Sequence, residues 1–170
     1  MLNETWTDQY QRMLRSWKAL QELGSPSDSP SEPSGRDALY HFCQDAFHLR
    51  DWIIKDSSLP GSGSAQRGQD LDTLFNSSSP ALAACADLAN GSKHLVRTRH
   101  SYISGERRTG HANLTGQGVT IQLPVATLEG TSGGSTQYHW IIEGDWDALE
   151  MAAQAVTDWK SWLTAHGLPV

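Results

Sequence analysis

Ser79-Pro-Ala-Leu-Ala-Ala-Cys-Ala-Asp-Leu-Ala-Asn-Gly-Ser-Lys-His94 is the stretch whose reading decides the fold. Serine followed by proline is a helix start. The hydroxyl accepts from an orphan backbone N–H of the first turn, and proline at the first helical position lacks an N–H that has no partner there anyway. Beyond it, Ala81, Ala83, Ala84, Ala86 and Ala89 leave a surface of small side chains. Small side chains allow a neighbouring helix to approach closely. The spacing therefore predicts a central helix running from Pro80 to about His94 or Val96.

Its expected neighbour runs from about Asp37 to Lys55, where Leu39, Phe42, Cys43, Ala46, Leu49, Ile53 and Ile54 form a broad apolar face. Upstream, Trp6, Tyr10, Met13, Trp17 and Leu20 recur at helical spacing, with Thr5 as the expected cap and Gly24 as the stop. The Pro/Ser/Gly-rich residues 24–36 read as a flexible linker. A loop at 59–64 and a short helix near 70–75 follow. From Arg97 the period changes: residues 119–123 alternate as a half-buried strand does, residues 138–143 are an aromatic and β-branched run, and Gly130-Thr-Ser-Gly-Gly134 supplies the turn residues between them. A third strand is expected near 101–104. Asp145 then reads as the cap of a last helix with Trp146, Leu149, Ala153, Val156, Trp159 and Leu163 on one face, stopped by Gly167 and Pro169. The expected fold is mainly α, one domain over residues 1–170: a bundle of about four helices with a β-hairpin, 97–143, inserted before the C-terminal helix.

The chain has 170 residues and a formal net charge of -6, which opposes long-range attraction to nucleic acid or membranes and leaves local patches to decide. No apolar run approaches a membrane span, and the start lacks the basic and apolar regions of a leader, so a cytoplasmic protein without a membrane partner is expected. The two cysteines, Cys43 and Cys85, fall in apolar helical patterns, as buried free thiols do; a disulfide between them is the alternative.

Two constellations carry chemistry. At about 100° per residue, His41, Asp45, His48 and Trp52 share a sector of roughly 60° beside the apolar face of their helix. Asp87, Gly91 and His94 make a similar line on the central helix, with Asn90 beside it. Antiparallel packing of the two helices would bring the stripes together. Imidazoles and carboxylates in reach of one another suit acid–base work near neutral pH, or a metal held by His41, Asp45, His48 and His94. Hydrogen-bonded satisfaction of polar groups at a helix seam is the plain alternative. The second constellation is basic: Lys93, Arg97, Arg99, Arg107 and Arg108, with only Glu106 opposing them. Such a patch suits phosphates, and equally serves to offset the acidic remainder.

At Asp87-Leu-Ala-Asn-Gly-Ser-Lys-His94 the chain resembles the HEPN superfamily, helical and often dimeric domains, many of them RNases of bacterial defence and toxin–antitoxin systems. Asn90 and His94 match the second and last positions of that family's Arg-Asn…His pattern. Ala89 stands at the arginine position, while Arg36-Asp-Ala-Leu-Tyr-His41 repeats the spacing intact. The resemblance implies an RNA-binding or RNA-cleaving domain that needs no cofactor, with His94, Asn90, Asp87, His41 and His48 as catalytic residues. Arg36, Lys93, Arg97 and Arg99 become phosphate contacts, and RNA, a cognate protein or a second copy the partners. The other readings of the same residues are a non-catalytic interaction or dimerisation module, and a metal-dependent enzyme.

Overall fold

The computed structural model describes residues 4–23, 32–59, 63–93, 114–121, 135–142 and 146–170, and these are mainly helical. Five α-helices occur among them: α1 (Trp6–Leu23), α2 (Glu32–Lys55), α3 (Ser64–Thr73), α4 (Pro80–Lys93) and α5 (Ala148–Ala165). A π-helical turn, Leu74–Ser78, joins α3 to α4. α2 packs on both α1 and α4, and α5 closes against α4, α2 and α1. None of these helices is long and apolar enough to cross a membrane.

α4 is the most enclosed element. Every residue from Ala81 to Ala89 is buried, so the helix is covered around its whole circumference. Its alanines explain how that is possible, since a helix of large side chains could not be approached from several sides at once. Ser79 caps it as the sequence predicts: Oγ accepts from the Leu82 N–H at 3.0 Å and itself donates to Asp158 Oδ2 on α5. One serine therefore starts a helix and fastens it to another.

Around α4 the core is aromatic. Phe47 of α2 meets Phe75 of the π-turn edge-on at 5.8 Å, and Phe75 meets Trp159 of α5 at the same distance. On the other side of α2, Trp17 of α1 lies against Phe42 at 5.9 Å. Trp6, Tyr10, Met13 and Leu20 are buried along α1, on the face that their spacing predicts. At the chain's end, Gly167 has φ +69°, and the Leu168 N–H reaches back to the Leu163 carbonyl at 2.9 Å. This left-handed glycine closure ends α5 where the sequence places its stop.

Several boundaries differ from the expectation. α2 begins at Glu32, inside the stretch expected as linker, because Pro33 falls in the first turn, where proline is tolerated. α3 begins at Ser64, well before the short helix expected near 70–75, despite Gly68 in its interior. Asp147, not Asp145, caps α5, its Oδ1 accepting from the N–H groups of Leu149 and Glu150 at 2.8 and 3.1 Å. Trp146–Asp147 forms a two-residue strand, β3, beside an antiparallel pair, β1 (Leu114–Ile121) and β2 (Ser135–Ile142), in the order β1-β2-β3. β1 starts earlier than the expected strand at 119 because Gly116 and Gly118, which interrupt the alternating pattern, are tolerated within it. The strand expected near 101–104 lies outside the described residues.

Candidate functional site

Two contacts orient α4 against α2. Phe47 meets Phe75 just ahead of α4, while Gln44 Nε2 donates to Ser92 Oγ at 2.9 Å near the far end of α4. Ser92 Oγ passes the hydrogen bond on to the Ala89 carbonyl oxygen at 2.9 Å. His41 stands one turn before Gln44 on α2. His41 and Arg36 are exposed, Asn90 is half-buried and Gly91 is buried in the seam. Asp87, one turn earlier on α4, is 1% exposed and hydrogen-bonded or paired. Lys93 is the last residue of α4. His94, Arg97 and Arg99, like Arg107 and Arg108, lie outside the described residues.

Asp45 is engaged by α1 instead. Its Oδ2 accepts from Ser16 Oγ at 2.5 Å, and Gln9 Nε2 donates to its backbone oxygen at 3.1 Å and to Oδ1 at 3.3 Å. Gln9 is itself 1% exposed and accepts from Arg12 Nη1 at 2.5 Å, while Arg12 Nη2 reaches Glu4 at 3.0 Å. Asp45 thus belongs to the polar seam between α1 and α2. The stripe His41–Asp45–His48 is one line on the helix, and its members serve different neighbours.

His48 lies two turns beyond His41, on the order of 10 Å along the axis. It lines a cleft of about 740 Å³ together with Glu4, Thr5, Asp51, Trp52, Lys55, Asp56, Ser57 and Ser58. The walls are the two residues just ahead of α1 and the last turns of α2 with the residues that follow it. The α1 end is closed by a reciprocal cap: the Thr5 N–H donates to Asp8 Oδ2 at 2.8 Å while the Thr5 carbonyl accepts from Asp8 and Gln9. The α2 end is held by Arg67 of α3, whose Nε donates to the Ile53 carbonyl at 3.1 Å and whose Nη2 reaches the Ile54 and Asp56 carbonyls at 3.3 and 2.9 Å. These are the orphan carbonyls of a helix C-terminus, satisfied by one guanidinium. Beside them, Asp56 Oδ1 accepts from both the hydroxyl and the N–H of Ser58 at 2.5 and 2.8 Å. The Ser58 hydroxyl is the main cause holding the Asp56 carboxyl below its ordinary range. No local sequence pattern announces this cleft, because its two walls are more than forty residues apart.

Among the described residues, no group of three or more His, Cys, Asp or Glu side chains is placed to hold a metal ion. Cys43 and Cys85 are free and buried. Burial, with Cys85 alongside, pushes the Cys43 thiol well above its ordinary range, so it is a poor nucleophile. No protein-family model, curated protein or solved structure matches the chain.

Proposed function

We propose that the chain is a HEPN-like helical domain that binds RNA at the end of the bundle where the N-terminal half of α2 meets the last turn of α4. The hydrogen bond from Gln44 to Ser92 supports this reading, since it joins α2, one turn beyond His41, to the last turn of α4, which follows Asn90. From Lys93 the chain continues directly into Arg97 and Arg99. Phosphates are held there by charge and by the forked guanidinium groups. In this reading β1 and β2 form a hairpin inserted between α4 and α5, which flanks the basic segment.

Binding is favoured over cleavage by the position of Ala89. It is 1% exposed, in the enclosed run of α4, so the residue at the family's arginine position faces the core and cannot reach a phosphorane. Asp87 is buried as well. His94 remains the residue on which any cleavage would rest, acting on a ribose 2′-hydroxyl.

The test is fluorescence anisotropy of a labelled single-stranded RNA over a salt series. Arg36→Glu combined with Lys93→Glu is expected to abolish binding. Arg36→Ala alone is expected to lower the salt slope by roughly one counterion. Equal affinity in a folded charge-reversed variant would overturn the assignment. Release of RNA fragments by the wild type, lost in His94→Ala, would convert the reading from binding to cleavage.

A further inference from the structure

Trp52 is a lone aromatic in a polar cleft. The cleft between the start of α1 and the end of α2 encloses about 740 Å³, and eight of the nine described residues that line it are polar, the ninth being Trp52. The indole packs against the hydrophobic core yet is only half-buried, so part of it is left to the cleft. The volume is that of a small-molecule site, which falls between about 300 and 1,000 Å³.

The charges here are held and compensated. Glu4 accepts from Arg12 Nη2 at 3.0 Å, Asp51 Oδ1 accepts from Arg50 Nη1 at 3.1 Å, and Asp56 Oδ1 accepts from the Ser58 hydroxyl and N–H at 2.5 and 2.8 Å. Each of these contacts uses one oxygen of a carboxylate that has about four lone-pair sites, so all three remain acceptors. The Lys55 ammonium and the two guanidinium groups balance the three carboxylates, which leaves a charged ligand nothing to neutralise. Asp51 and Lys55, four residues apart, set an acceptor beside a donor on the surface of α2. Trp52 and Asp56 form the adjacent row, and the Asp56 N–H donating to the Trp52 carbonyl at 2.9 Å continues the helical turn.

We propose that this cleft binds a neutral saccharide of one or two sugar units, stacked on Trp52 and hydrogen-bonded through its hydroxyls to Asp51, Lys55 and Asp56. The face of an indole is negative, and it attracts the weakly positive C–H groups that a sugar ring presents on one side. Each sugar hydroxyl both donates and accepts, so a neighbouring pair of hydroxyls matches a carboxylate beside an ammonium.

The experiment is calorimetry and saturation-transfer NMR of the full chain with glucose, galactose, mannose, N-acetylglucosamine, maltose, cellobiose and lactose. At least one sugar is expected to bind with one-to-one stoichiometry and to receive saturation at its ring C–H protons. Trp52→Leu should weaken that binding about fivefold or more, and Trp52→Phe, which keeps an aromatic face, should weaken it less. Asp51→Asn, at a side chain 51% exposed, should weaken it on the order of tenfold with an unfolding midpoint like that of wild type, and it carries the test if Trp52→Leu does not fold. Failure of every sugar to bind overturns the proposal, as does unchanged affinity in either folded variant. Tighter binding of adenosine, spermidine or inorganic phosphate than of any sugar overturns the choice of ligand. No RNA is present in these titrations, so their outcome is separate from RNA binding where α2 meets α4.

Discussion

Trp159 Nε1 donates to the Ala46 carbonyl oxygen at 3.0 Å, joining the middle of α5 to the middle of α2 across 113 residues of chain. A helical carbonyl has a second lone pair to offer, so this bond adds to the backbone ladder without breaking it. The indole is also fully buried and packs against Phe75 and Trp162 at 5.8 and 6.0 Å. Trp159→Phe removes the N–H and leaves a void, and is expected to lower stability by about 2–4 kcal/mol in urea unfolding. An unchanged unfolding midpoint would show that α5 is not locked to α2 through this side chain.

Ser79 joins two helices through one hydroxyl, so its loss acts twice. Ser79→Ala removes the cap of α4 and leaves Asp158 Oδ2 without its donor. A loss of about 1–2 kcal/mol is expected. Ser79→Asp keeps a capping acceptor but sets two carboxylates against each other, so it should be worse than alanine despite being a good cap. Calorimetry of the three proteins orders them, and an aspartate variant as stable as wild type would contradict this arrangement.

Arg67 holds the end of α2 and with it one wall of the cleft. Arg67→Met keeps most of the apolar stem and deletes the donors to Ile53, Ile54 and Asp56. The last turn of α2 should then fray, read as faster amide exchange at residues 53–56. A global stability loss of about 1–3 kcal/mol should accompany it. Protection at 53–56 equal to wild type would mean that water replaces the guanidinium without loss.

Asp56 and Asp8 both have carboxyls held below their ordinary value of 3.8, Asp56 chiefly by the Ser58 hydroxyl and Asp8 chiefly by the Thr5 N–H. A carboxylate with a lowered folded-state pKa binds its proton more readily in the unfolded chain. Its contribution is therefore complete above 3.8 and is lost as the pH falls from there through the folded value. Asp56→Asn should be less stable than wild type at neutral pH, and the gap should close below pH 3.8. A gap that stays constant in an acid titration would show that the carboxylate charge contributes nothing at this turn.

Much of the helical framework was legible in the sequence. The Ser79–Pro80 start, the Gly167 stop and the buried stripe of Trp6, Tyr10, Met13 and Leu20 follow from rules that operate within one or two turns, and the structure repeats them. The alanines of residues 81–89 announced a crowded helix, and that helix is buried on every side. Where composition imitated a loop, at Glu32–Gly35 and from Ser64 onward, the reading stopped short, because proline and glycine disfavour helices only in positions where their backbone is not accommodated.

Periodicity places a residue on a face of its helix; it does not say which neighbour that face will meet. Asp45 shares a line with His41 and His48, yet it turns to Ser16 and Gln9 of α1, while His48 lines a cleft with Glu4 and Thr5 and His41 stays exposed. Helix existence, caps and buried faces were set by the sequence because they depend on hydrogen bonds and side-chain spacing a few residues apart. Only the tertiary structure decided which polar groups came together, set the Cys85 thiol against Met151 Sδ and placed Ala89 in the core. Those outcomes depend on how α1, α4 and α5 dock around α2, and docking is a property of all the surfaces at once.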